Sequence, residues 1–88
     1  MTYQLQHVRL LVIEPNQPIR HVLRAVLLDL GIGMVDTAAD AAHGWDLFAR
    51  FKPDMLLIDW PVLASDTVLA LVRRIRQDAP PPDNLVPI

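Results

Sequence analysis

Two segments of this chain carry the same punctuation, and that repetition restricts the fold more than any other feature. Leu10-Leu11-Val12-Ile13 is a short apolar run closed by Glu14-Pro15, and Met55-Leu56-Leu57-Ile58 is another closed by Asp59-Trp60-Pro61. Runs of this length, rich in branched side chains and cut off by turn residues, read as buried strands. Apolar character at nearly every position, rather than at every second one, suits a parallel sheet covered on both faces. Between the two runs the period changes. Ile19, Val22, Leu23, Val26, Leu27 and Leu30 repeat at the three- and four-residue spacing of one helix face, with Pro18 in the first turn and Gly31 and Gly33 at the stop. Arg20, His21, Arg24 and Asp29 fall outside that stripe.

The remaining segments fit the same alternation. Met34–Ala38 is a weaker strand, and Asp40 is the expected N-cap of a helix over Ala41–Phe51 that points Trp45, Phe48 and Phe51 inward. Gly44 weakens that helix by roughly 1 kcal/mol relative to alanine, which marks it as a place for close packing. Pro53 ends it. Val68, Leu69, Val72 and Ile75 mark a third helix, capped by Ser65 or Asp66, whose last turn carries Arg73, Arg74 and Arg76. Those arginines read as a solvated end that compensates the helix dipole, with partner docking as the lesser alternative. A proline-rich loop follows, and Leu85–Ile88 reads as a fourth strand only begun. Strands alternating with helices imply an α/β fold with right-handed crossovers.

With 88 residues, the chain has room for one small domain, and 52% hydrophobic residues are enough for a core. The absence of cysteine excludes a disulfide framework and suits a reducing compartment, so a cytoplasmic location is expected. A net charge of −2 without a basic run argues against direct nucleic-acid binding. No apolar stretch suits a bilayer span, and the first residues do not read as a signal peptide. His7, His21 and His43 lack metal-ligand spacing, and Gly31 and Gly33 follow a helix rather than leading from a strand into one. Trp45 and Trp60 read as packing residues, although Trp60 beside Asp59 is placed to gate access to it.

Ligands of open α/β sheets bind beyond the carboxyl ends of the strands. Glu14 and Asp59 each follow such an end, so neighbouring strands would bring the two carboxylates to one corner. Two acids there can hold a hard divalent cation, and a carboxylate beside it can accept a phosphoryl group. The same residues also read simply as solvated turn acids.

Taken in order, several stretches resemble the receiver domain of two-component response regulators. They are Leu10–Glu14, Arg20–Gly31, Val35–Ala38, Lys52–Asp59, Val68–Arg76 and Val86–Ile88. The resemblance covers nearly the whole chain, and the Pro53-Asp54-Met55-Leu56-Leu57-Ile58-Asp59 run is its most specific piece. It implies a flavodoxin-like (CheY-like) parallel sheet of order 2-1-3-4-5 with helices on both faces, here incomplete at about three and a half βα units. It implies that residues 1–88 are the N-terminal part of a receiver domain that ends within the fourth strand. Asp59 would be the phosphoacceptor, supplied by a histidine kinase or phosphotransfer protein and read by a downstream output protein or domain. Glu14, Asp59 and the backbone carbonyl of Pro61 would bind Mg²⁺.

Three departures qualify that expectation. Pro15 stands where the family carries a second acid, so Mg²⁺ binding is expected to be weak, and Asn16 offers only a neutral oxygen. Leu63–Thr67 replaces the usual proline and glycines of the loop after the acceptor. The hydroxyl residue that follows the family's fourth strand and the lysine of its fifth strand are expected to be lacking from a chain that stops inside the fourth strand. The alternative is therefore a degenerate pseudo-receiver that acts by phosphorylation-independent binding or dimerisation. An open sheet edge in such a chain is expected to drive self-association.

Overall fold

The computed structural model describes residues 4–58 and 66–88, with side chains described for 4–58 and 69–88. Three strands, β1 (Arg9–Ile13), β2 (Met34–Ala38) and β3 (Met55–Ile58), form a parallel sheet of order β2-β1-β3. Three helices alternate with them: α1 (Gln17–Asp29), α2 (Ala41–Phe51) and α3 (Asp66–Asp78). Single 3-10 turns cover Leu5–His7 and Asp83–Leu85. Among the described residues, no helix is long and apolar enough to cross a membrane.

The central strand explains the unbroken apolar pattern. Side chains alternate across a strand, so Leu10 and Val12 point to one face while Leu11 and Ile13 point to the other. All four are buried, and Ile13 is entirely closed to solvent. Leu11 and Ile13 pack with Ala38, Leu56, Ala41 and Phe48, and with Leu71, Ile75 and Ala79 at α3 and its end. Leu10 and Val12 join Val35 beneath Leu23, Leu27 and Ile32. Fully burying one such aliphatic side chain is worth about 1.5–3 kcal/mol.

Local chemistry sets the helix ends where the sequence places them. Asn16 Oδ1 accepts from the Ile19 N–H at 3.0 Å, and Pro18 sits in the first turn of α1. Gly31 follows α1 with φ +102°, a conformation that costs glycine nothing. Asp40 Oδ1 accepts from the His43 N–H at 2.8 Å and caps α2. At its other end α2 stops on Lys52, itself left-handed at φ 48°, directly before Pro53. Gly44 supports the expectation of close packing. A Cβ there would lie 2.7 Å from Ile13 Cδ1, so its absence lets α2 settle onto β1.

Three expectations are corrected. The inward stripe of α3 contains Leu71 and Ile75 and continues at Ala79, whereas Leu69 is exposed and Val72 half-buried. Leu85–Ile88 is not a strand. Leu85 belongs to a 3-10 turn, and beyond it the Leu56 N–H donates to the Pro87 carbonyl at 2.9 Å. Pro87 has no N–H to continue a ladder. Finally, the α1 stripe is mostly uncovered: Leu23 and Leu27 are half-buried, while Ile19, Val22, Val26 and Leu30 are each at least half exposed. Ser65 and the side chain of Asp66, the expected caps of α3, lie outside the described residues.

Candidate functional site at the carboxyl end of the sheet

The register between strands decides which residues can meet. In the parallel β1–β3 pair, Leu10 stands opposite Met55 and Ile13 opposite Ile58. Both strands therefore run to the same edge of the sheet, and the next residues in sequence are Glu14 and Asp59. Asp54 pins this register from the other end. Its carboxylate accepts from the Arg9 N–H at 2.8 Å, and its own N–H donates to the Arg9 carbonyl at 2.8 Å.

Three polar groups of Glu14 are held by hydrogen bonds. Its N–H donates to the Ala38 carbonyl of β2 at 3.0 Å, extending the β1 ladder by one residue. Its Oε1 accepts from the Asn16 N–H at 3.1 Å, and its side chain is 5% exposed. Its carbonyl accepts from Arg20 Nη1 at 2.9 Å, which places a guanidinium at the acidic corner. In the sequence Arg20 stands only as a residue outside the apolar stripe of α1. The available signal was its position: first turn of a helix, six residues after a strand-end acid. A groove of about 400 Å³ opens beside Glu14, bordered by Val12, Ile19, Leu23, Leu57 and Ile58.

Asp59, Trp60 and Pro61 lie outside the described residues, as do Leu63 and Ala64 of the following loop. Of the expected Mg²⁺ ligands, the described residues supply Glu14. Pro15 brings no side-chain oxygen, and the oxygen of Asn16 is committed to capping α1. The guanidinium of Arg20 adds positive charge close by. By themselves these residues do not fit a hard divalent cation, which asks for several oxygen ligands and more than one carboxylate's worth of charge. Among the described residues, no three histidine or acidic side chains gather at one point.

The basic cluster of α3 is exposed, as a solvated helix end should be, and two of its arginines also make tertiary contacts. Arg74 stacks its guanidinium over the Trp45 ring at 4.0 Å. Arg76 Nη1 donates to the carbonyls of Asn84 and Val86 at 2.9 and 2.8 Å, tying the last residues to the helix. Trp45 in turn stacks with Phe48, ring centres 5.8 Å apart.

No protein-family model matches the chain, and no curated protein matches it.

Proposed function

We propose that the chain is a receiver-type signalling domain of flavodoxin-like architecture in which Asp59 accepts a phosphoryl group from a histidine kinase or phosphotransfer protein. The observation that carries this reading is the register of β1 against β3, with Ile13 opposite Ile58 and an acid next in sequence after each. The β2-β1-β3 order, with helices packed against both faces, supports the same architecture. In the transfer, a carboxylate oxygen of Asp59 bonds to phosphorus, the phosphorus–nitrogen bond of the donor breaks, and its electron pair returns to the imidazole. Such transfer depends on positive charge at the carboxyl edge. Arg20, bonded to the Glu14 carbonyl, supplies a cation there. Mg²⁺ binding by Glu14, Asp59 and the Pro61 carbonyl belongs to this reading and is weak, because Pro15 replaces an acid. A cytoplasmic setting and a downstream output partner complete it.

A second reading is a pseudo-receiver that binds partners without phosphorylation. Pro15 and the commitment of the Asn16 side chain to the α1 cap favour it. Incubating the chain with a small acyl phosphate and Mg²⁺ and recording intact mass separates the two. One added phosphoryl group, lost in Asp59→Asn, supports the first reading. An unchanged mass at millimolar Mg²⁺ supports the second.

A further inference from the structure

We infer that the acidic corner carries its own cation: Arg20 closes the Glu14-Pro15-Asn16 turn and stands in place of Mg²⁺, which leaves the turn insensitive to the metal. The oxygens of the turn are already engaged. The Glu14 carbonyl accepts from Arg20 Nη1 at 2.9 Å, and the same nitrogen reaches the Pro15 carbonyl at 3.5 Å. The Asn16 carbonyl accepts from the Arg20 N–H at 2.8 Å, and Asn16 Oδ1 accepts from the Ile19 N–H at 3.0 Å. Glu14 Oε1 accepts from the Asn16 N–H at 3.1 Å. Among the described residues, Glu14 Oε2 is the one oxygen of the turn without such a donor. Arg20 thus closes the turn with its backbone and its side chain together. A hard cation would have to take these oxygens from N–H donors already in place, and Mg²⁺ demands near-ideal octahedral geometry.

The surroundings of the turn agree. Besides Glu14, the groove at this corner is bordered by Val12, Ile13, Ile19, Leu23, Leu57 and Ile58. None of these side chains carries an oxygen, so the described walls offer a metal no further side-chain ligand. Glu14 is 5% exposed, and a buried carboxylate is costly unless it is hydrogen-bonded and paired with opposite charge. The Asn16 N–H supplies the bond, and half-buried Arg20 brings the charge to the same turn. A guanidinium is a permanent cation whose planar fork of donors suits the capture of oxygens, and it needs no ligand set of its own. One acid and one built-in cation at the turn also agree with Pro15, which leaves no second acid there to balance a divalent ion. The inference concerns the turn and does not rest on phosphoryl transfer to Asp59.

Amide spectra of the isotopically labelled chain, titrated with MgCl₂ into the millimolar range, test it without any phosphodonor. In the unaltered chain the Glu14 and Asn16 amide signals stay in place. Arg20→Met removes the charge and the side-chain donors at similar length. Both signals then move with Mg²⁺, and exchange of the Asn16 amide accelerates by about 5-fold, the equivalent of one lost hydrogen bond. Arg20→Lys keeps the charge and stays insensitive, with helical circular dichroism unchanged in both variants. Saturable Mg²⁺ shifts in the unaltered chain, or a methionine variant as insensitive as the unaltered chain, overturn the inference. A mass gain from the acyl phosphate that disappears when Mg²⁺ is chelated also overturns it, while leaving the first functional reading standing. No mass gain, with amide signals that ignore Mg²⁺, sinks that reading and upholds this one.

Discussion

The two faces of this sheet are built from the same central strand and end in opposite conditions. On the face under α2 and α3, Leu11 and Ile13 disappear beneath Phe48, Leu71 and Ile75, and the last residues close the border through Val86. On the face under α1, Leu10 and Val12 are equally buried, but α1 has no fully buried residue and β3 stays open beside it. The difference teaches that burial of a central strand does not certify its cover. Two half-buried leucines suffice to shield β1, while most of the apolar stripe that supplied them remains in contact with water.

Truncation variants probe that contrast most strongly. Ile13→Ala, on the closed face, is expected to cost about 3–5 kcal/mol, because a fully buried side chain leaves a cavity among residues that cannot collapse into it. Urea denaturation reads this directly, and a loss below about 1 kcal/mol would mean that the closed face is loosely packed. Arg76→Leu comes next. It removes two hydrogen bonds that hold the Asn84 and Val86 carbonyls, and about 1–2 kcal/mol of stability should go with them. Exchange of the Val86 amide should accelerate more than that of β1. The smallest effect belongs to the open face. Val26→Ala, measured in dilute solution, is expected to shift stability by no more than about 0.5 kcal/mol, since alanine's helix propensity offsets the little packing lost. A loss comparable to Ile13→Ala would show that α1 is covered after all.

The three observed strands and the Asp40 cap of α2 were legible because they depend on neighbours in sequence, whereas Leu85–Ile88 carried a strand-like pattern without being a strand. Asp40 and Ala41–Phe51 fall as expected, and Met34–Ala38 is the strand its pattern implied. What depends on distant partners was not legible. The α1 periodicity reports an apolar stripe, but nothing in that spacing says how much of it another element covers. The rotation of α3 that turns Leu71 inward and Leu69 outward follows from its seat against α2, which local spacing does not encode. The partners of Arg74 and Arg76 are an aromatic ring and two carbonyls elsewhere in the chain, so dipole arguments alone missed them. At the candidate site, the strand-end acid Glu14 was identifiable from its apolar run. Arg20 was not, because its contact is with a backbone carbonyl across a turn.

The proposed function and the two-faced core both rest on β1 lying parallel to β3 with Ile13 opposite Ile58. A slip of one residue would reverse which side chains of β3 face each layer and move its following acid along the edge. Cross-strand nuclear Overhauser contacts in the isotopically labelled chain measure this without reference to activity. The account predicts contacts that pair Leu11 with Leu56, Val12 with Leu57 and Ile13 with Ile58. A set displaced by one residue, or β3 contacts to β2 in place of β1, would contradict it.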